Sequence, residues 1–413
     1  RDPSENAGAG GAMDPEIPNP CEGEVNLFTP EFSRCPQAVY TRVLDKCPVA
    51  TVSLLGGPVI SRYEDVKWAL RQPEIFSSAM DLQMALGTER PMIPQQIDPP
   101  AQTRYRRLLD PLFSRRRMAE LEPDIRKHAN ALIDRVFDAG ECEFDTAFAV
   151  PLPGTAFLTL LGLPLERLDF FLDIKDGIIR PQRKEGVKLE DTPKIRVESG
   201  KKMYAYFDEV LDERLKRPRE DLLTFLLDAE LEGDKLSRTE ILDICFLLLL
   251  AGLDTVTATL GCNMAYLAAN PEQRRRILEN PELIDGAVEE LLRWETPVTA
   301  LPRLLKQDVT VAGVEIKAGQ LVTLLIGAAD VDAGEFAEPE RVDFERERNR
   351  HLAFGVGPHR CLGSHLARME LRVAMQAWHQ RIPDYEIKPG ETPVYSPGIR
   401  EVMHLPLVWK PAR

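Results

Sequence analysis

One stretch of the chain concentrates chemistry. Phe354-Gly355-Val356-Gly357-Pro358-His359-Arg360-Cys361-Leu362-Gly363 sets a single cysteine in a glycine-punctuated loop, just before the helical pattern Ser364-His365-Leu366-Ala367-Arg368-Met369-Glu370-Leu371. Glycine admits positive φ and lets a flat ligand approach the backbone closely. A thiol at a helix start meets free N–H groups and the positive end of the helix dipole, so its pKa is expected to fall below the ~8.5 of free cysteine. A thiolate held this way beside a flat surface suits axial ligation of haem iron. The competing reading is a buried, inert cysteine, the usual state of a free thiol.

A second constellation is Ala251-Gly252-Leu253-Asp254-Thr255, inside a long apolar helical pattern. In the plain reading, Gly252 weakens the helix by about 1 kcal/mol and Thr255 bonds back to a carbonyl one turn earlier. In the functional reading, the apolar run forms a dry wall, a local opening at Gly252 and Thr255 leaves room for a small ligand, and acid and alcohol deliver protons to it. A third is Glu290-Leu291-Leu292-Arg293, which places carboxylate and guanidinium on one helix face. Alone, such a pair reads as a surface contact worth ~0.5 kcal/mol or less.

Phe-Gly-x-Gly-x-His-x-Cys-x-Gly resembles the haem-binding signature of cytochrome P450 in its soluble bacterial form. Around Phe157 to Pro164 the chain looks most like actinobacterial members. The resemblance covers roughly residues 25–410. It implies haem b with Cys361 as its thiolate ligand, bedded on Phe354, Gly355, Gly357 and Gly363, with Ala251 on the opposite face. It assigns Asp254 and Thr255 to the protonation of bound dioxygen. Asp98-Pro99-Pro100-Ala101-Gln102-Thr103-Arg104-Tyr105-Arg106 resembles the family's Asp-Pro-Pro-x-His-x-x-x-Arg, so Arg106, with Arg303 and His359, is expected to hold the haem propionates. Gln102 stands where that pattern has histidine; it can donate a hydrogen bond but carries no charge. Glu290 and Arg293 match the family's buried pair, and Pro339-Glu340-Arg341 makes Arg341 the expected third member. Ala329-Asp330-Val331-Asp332 departs from the usual Ala-Asn-Arg-Asp in a segment taken as structural.

These groups must be positioned by a mainly α scaffold. The 413 residues are 44% hydrophobic and can bury a large core. Ala50–Ser53 and Val59–Ser61 read as a hairpin, Tyr63–Arg71 as a helix, 82–100 as a proline-rich loop, and Thr103–Ala139 as arginine-rich helix. Ser237-x-x-Glu240 is a capping box opening a helix of about 32 residues to Asn270, ~48 Å long. Helices over 271–279, 281–295 and 364–381 follow. Val309–Val314 and Leu321–Ile326 read as a short antiparallel pair, and Ser396–Trp409 as strands. The resemblance implies a single-domain P450 fold over 25–413, a triangular helical prism with small β-sheets, with haem between the long central helix and the cysteine loop. Residues 1–24 read as a disordered leader, native or introduced; if its first residues are introduced, Met13 is expected near a natural start.

A net charge of −14 argues against nucleic acid or anionic membrane as main partner. Cys21, Cys35, Cys47, Cys142, Cys245, Cys262 and Cys361 are scattered, without metal-site spacing, as expected of a reduced cytoplasmic protein. The longest apolar run, Ile244–Leu253, is too short to span a bilayer. The expected activity is monooxygenation: one atom of O2 enters a C–H bond of a lipophilic molecule such as a steroid, terpenoid, fatty acid or polyketide. Electrons would come from NAD(P)H through ferredoxin reductase and ferredoxin, to a monomeric enzyme. Arg104, Arg107, Arg115, Arg116, Arg117, Arg348, Arg350, Arg360, Arg368 and Arg372 would receive an acidic ferredoxin, unless they merely pair with Glu345, Glu347 and Glu370. The pocket is expected to include Met84, Met92, Ile93, Ile178, Ile179, Leu248, Val298 and Leu301. A peroxide-driven or redox-neutral haem-thiolate enzyme, and a non-enzymatic haem sensor, are the alternatives. Presence of the acid–alcohol pair speaks against the former, lack of an output domain against the latter.

Overall fold

The computed structural model describes residues 29–46, 49–51, 57–80, 88, 90–184, 186–396 and 398–411. The expected leader and Met84 lie outside them. Helices dominate, and the one that organises the rest is Arg238–Ala269. Its start is fixed by the capping box: the Glu240 N–H donates to Ser237 Oγ at 3.2 Å, and the Ser237 N–H donates to Glu240 Oε2 at 2.7 Å. It is apolar nearly all round, so other elements cover it on every side. Helices Pro151–Leu160, Leu168–Ile179, Thr192–Lys216 and Ser364–Arg381 all pack on it. By length and composition alone it could cross a membrane, but 78% of its most apolar window is buried inside the protein. It is therefore the core helix, and Leu249, Phe246 and Leu260 are fully or almost fully buried along it.

The sequence pattern over 103–139 resolves into separate pieces, Ala101–Leu109, Arg115–Glu120 and Glu122–Asp134, with a 3₁₀ turn at Asp110–Phe113. Pro111 and Pro123, which lack an N–H, sit at the starts of new turns.

A five-stranded sheet flanks the helices in the order Val49–Thr51, Pro58–Ile60, Leu321–Leu324, Leu301–Leu305, Phe76–Ser77. All neighbours are antiparallel except Leu321–Leu324 against Pro58–Ile60. The expected pairing of 309–314 with 321–326 is therefore wrong. Val309–Val311 turns back on Val314–Ile316 through Ala312 and Gly313, both at positive φ. This frees Leu321–Leu324 to pair with Leu301–Leu305, with Val322 opposite Arg303. That register carries Arg303 to the edge of the central cavity. Trp409, Val402 and their neighbours form the expected tail strands.

Candidate active site

The cysteine loop and the central helix enclose one large cavity of about 1600 Å³, including its open mouth. Cys361 faces it from one side and Ala251, Gly252 and Thr255 from the other. The loop is shaped by its backbone: the Cys361 N–H donates to the Phe354 carbonyl at 2.8 Å, and Gly355 and Gly357 take φ of +62° and +77°. A Cβ on Gly363 would touch nothing within 4 Å, so that residue opens onto free space beside the sulfur. Gly357 serves differently from expectation. It does not line the cavity; a Cβ there would lie 2.6 Å from the Leu70 carbonyl, so glycine is needed for close packing on the helix Tyr63–Leu70.

The expected low pKa of Cys361 is not found in the protein alone. Burial raises it, and the Gly363 N–H with Arg106, Arg368 and Arg360 only partly offsets that. A bound metal cation is what would deprotonate such a thiol. Around the rim, His359 is held neutral: burial, then Arg303, with Arg106, pushes its pKa down to about 4. Its buried Nε2 has no hydrogen-bond partner. Arg303 is 8% exposed, and burial lowers its pKa to about 10, which leaves it a cation. Its guanidinium donates to the Pro302 carbonyl at 2.8 Å and makes no ion pair with a described residue. Arg106 also reaches the cavity, bonding Asp110 Oδ1 at 2.7 Å and the Arg360 carbonyl at 2.6 Å. Gln102, at the histidine position, donates to the Pro358 carbonyl at 2.6 Å and so ties its helix to the loop. An unpaired buried cation, an orphaned imidazole nitrogen and open space beside a thiol fit a flat group with an iron centre and acidic edges.

The acid and the alcohol of the central helix point to different places. Thr255 lines the cavity, and its Oγ1 donates to the Ala251 carbonyl at 2.9 Å within an unbroken helix. Asp254 does not line it. Its carboxylate is 1% exposed and forked onto Arg180, at 2.5 and 2.7 Å, with Lys175 at 3.6 Å. Arg180 and Lys175 carry no motif and were invisible in the sequence; they come from the end of the helix Leu168–Ile179 and the residue after it.

The lower side is stiffened by salt links. Arg368 lies 4.4 Å over the Phe354 ring and forks onto Glu289 at 2.6 and 2.8 Å, while His351 reaches Glu289 at 3.0 Å. Burial alone would raise the Glu289 carboxyl, but the hydrogen bonds and charges of Arg368 and His351 bring it down to about 2. A depressed carboxyl stabilises the fold above its unfolded value, near 4.5, and that contribution fades as pH falls toward 2. Glu289→Gln is expected to destabilise the protein by about 2 kcal/mol at pH 7 and by less than about half of that at pH 3, read as a converging pair of acid-titrated unfolding curves. Parallel curves would remove this link.

Two expectations are corrected. Arg341 is not the third member of the Glu290–Arg293 network. Its guanidinium is 62% exposed and pairs with Glu338, while only its carbonyl accepts from Arg293. Arg346 takes the place, its Nε 3.1 Å from both Glu290 oxygens, because the chain turns at 341–346 and brings the later arginine back over the helix. Among the pocket residues, Leu248, Val298 and Leu301 line the cavity, whereas Met92, Ile93, Ile178 and Ile179 do not. The Met92 N–H donates to Gln96 Oε1 at 2.9 Å, folding 92–96 into a turn that buries Met92 and Ile93 and presents Pro94 and Gln95 instead. Ile178 is fully buried in the main hydrophobic cluster and Ile179 packs against it.

The basic residues divide. Arg368 and Arg372 pair with Glu289 and Glu122, and Arg104 with Glu232. Arg107, Arg115, Arg116, Arg117, Arg348, Arg350 and Arg360 are exposed and make no ion pair with a described residue. Glu370 serves none of them: it lines the cavity, buried, and burial raises its pKa well above the usual carboxylate range.

Comparison with known proteins agrees with this geometry. The family profile described as Cytochrome P450 matches residues 166–389. The chain is 36% identical to "Probable cytochrome P450 127A1" of Sinorhizobium fredii, across 86% of this chain and 84% of that protein. It is 36% identical to "Mycinamicin IV hydroxylase/epoxidase" of Micromonospora griseorubida, across 85% and 89%. Among solved structures, CYP109E1 from Bacillus megaterium in complex with testosterone superposes with a TM-score of 0.84 at 32% identity, covering 92% of this chain and all of that one (100%).

Proposed function

Because this chain belongs to the cytochrome P450 family of haem-thiolate monooxygenases, we propose that it inserts one atom of O2 into a C–H bond of a neutral lipophilic molecule. The observation that carries the substrate class is the lining of the cavity. Leu247, Leu248, Pro94, Pro297, Val298 and Leu301 make one wall apolar. The ionisable residues at the cavity, among those described, lie on the cysteine loop, on the helix after it, or at the rim as Arg106 and Arg303. With Arg106 and Arg303 engaged by the propionates, a free carboxylate substrate would be desolvated against the apolar wall, which among the described residues offers it no cation. Steroid, terpenoid and polyketide skeletons suit this wall better than a fatty acid.

The bound haem supplies the binding and activation of O2. Cys361 holds the iron. Arg303 and Arg106 hold the propionates by charge, and His359 donates a hydrogen bond from its uncharged ring. Gly363 and Gly355 would leave room for such a ring, and the small Ala251 and Gly252 would keep the facing turn of the central helix out of its way. Leu247 and Leu248 keep water out. Thr255 holds a proton at Oγ1 for delivery into the cavity, and Asp254 replenishes it after leaving Arg180. Electrons come from NAD(P)H through ferredoxin reductase and an acidic ferredoxin that docks on the exposed arginines around the cysteine loop, steered by charge.

With such partners, wild-type enzyme is expected to place one atom from ¹⁸O₂ in the product of a neutral lipophile that shifts its haem to high spin. Thr255→Ala is expected to keep haem and substrate binding but to consume reductant with several-fold less product, since positioned proton transfer contributes roughly 10²–10⁴-fold. Unchanged coupling removes Thr255 from the relay. Reduction by ferredoxin should slow steeply with added salt while reduction by dithionite does not; equal salt dependence removes the arginine face.

A further inference from the structure

Arg180 has two carboxylate partners, and the second one is far away in sequence. Its Nη1 and Nη2 meet Asp254, and the same Nη2 lies 2.6 Å from Glu401 Oε2. Asp254, Arg180 and Glu401 are 1%, 5% and 3% exposed. Glu401 comes from the tail, immediately before the strand Val402–His404. An arginine buried with a single carboxylate locks that carboxylate in its charged form, because neutralising it leaves a buried cation uncompensated. An arginine with two can keep one while the other takes up a proton.

We propose that Glu401 is a positioning residue for proton delivery: it holds Arg180 and balances its charge whenever Asp254 is protonated and turned toward Thr255. This rests on the relay role given to Asp254 and Thr255 above. The transfer balances without a further reactant. A proton adds to Asp254 Oδ1 as the Arg180 hydrogen bond there breaks, and Arg180 stays paired with Glu401. The proton then leaves Asp254 for the Thr255 side, and the regenerated carboxylate recaptures Arg180.

The surroundings supply protons and charge of both signs. From the helix Leu168–Ile179, Lys175 is 2.7 Å from Asp176, whose side chain is 44% exposed, and so links Asp254 toward solvent. Asp145, at the start of the helical turn Asp145–Ala149, feels Glu401, Glu143, Lys175 and Arg180, and its buried Oδ1 has no partner. Burial, then Glu401 and Glu143, raises its pKa to about 7, so this carboxyl exchanges its proton near neutral pH within the field of Glu401. Glu143 is in turn paired with His404 at 2.7 Å.

The test compares holoenzymes carrying Glu401→Gln, Asp254→Asn and both changes. Each is first checked for full haem content and an unaltered reduced, carbon monoxide-bound spectrum. Glu401→Gln is expected to lower kcat roughly ten- to hundredfold with KM little changed, to enlarge the solvent deuterium isotope effect and to lower coupling. In the Asp254→Asn background it should add almost nothing. Independently of turnover, the infrared carboxylate band that disappears in Asp254→Asn should shift in Glu401→Gln, because Arg180 then pairs with Asp254 alone. Should the glutamine variant fold poorly, Glu401→Asp, which keeps the charge, is expected to restore the isotope effect. An Asp254→Asn effect with no Glu401→Gln effect on isotope effect or infrared band overturns this proposal alone. No effect of Asp254→Asn overturns the relay as well.

Discussion

Cys361→Ala is expected to lose the red-shifted Soret band of the reduced, carbon monoxide-bound protein and to lose oxygen insertion by more than roughly 100-fold. That exceeds the upper end of what removal of an outer-shell partner costs a metal site. Among the described cysteines only Cys361 lines the cavity. Cys245 and Cys262 are locked inside the core, where burial pushes their thiols far up. Cys142 is raised to about 12 by burial and lies on a strand, away from the cavity. None of these can take over as thiolate, and Cys35, though exposed, does not line the cavity. His359 and His365 are the nearest imidazoles in the chain, and histidine ligation in the wild type would give an unshifted band and sink the assignment. Cys361→His is the sharper companion variant. It should retain haem but show the spectrum of histidine ligation, without the electron donation that favours O–O cleavage.

Glu290→Ala is expected to be the most damaging substitution outside the cavity. Glu290 and Arg293 are both fully buried (0% exposed side chains), and Glu290 accepts from Arg293 at 2.7 and 2.9 Å, from Arg346 twice at 3.1 Å, from Asn349 at 3.0 Å and from the Asp343 N–H at 2.9 Å. Arg293 in turn reaches the carbonyls of Asp330, Pro339 and Arg341. The whole path from 330 to 349, which leads into the cysteine loop, hangs on these two side chains. Removing the carboxylate strands one fully buried cation and one nearly buried one, at a cost of about 3–5 kcal/mol. Bound cofactor makes unfolding other than two-state, so the readouts are haem retained after purification and the midpoint temperature of the holoprotein. Arg346→Ala should also lose haem. Arg341→Ala should fall within the ~0–1 kcal/mol of an exposed ion pair, and an equal loss from both would restore the arginine that the sequence motif favours.

That contrast marks where sequence reasoning stops. Glu290 and Arg293 sit three apart on one helix, so their pairing is legible from spacing alone. Which arginine completes the site depends on how a meander turns, and a motif three residues long cannot encode that turn. The same holds for the cavity. Leu248 lies on the regular central helix, and Val298 and Leu301 lie in the short connection after the Glu290–Arg293 helix and at the start of the strand that follows, so all three stay close to the motifs. Met92 and Ile93 turn inward because 92–96 closes on itself, with the Met92 N–H on Gln96 Oε1 and the Gln96 N–H on the Met92 carbonyl, both at 2.9 Å.

Local sequence is enough to specify the glycine-set cysteine, the capping box at Ser237 and Glu240, the central helix Arg238–Ala269 and the helix Ser364–Arg381. Each is specified by neighbours within a few turns, through caps, glycines and apolar periodicity, and the chemistry became legible through the resemblance of the cysteine loop to the cytochrome P450 signature. The tertiary structure alone decided the wiring between them: Arg180 between Asp254 and Glu401, Arg346 on Glu290, Arg303 brought to the cavity by the register of Leu301–Leu305 against Leu321–Leu324. These contacts join residues tens to hundreds of positions apart. They form only when the packed core has fixed the path of the chain, so no short window of sequence contains them.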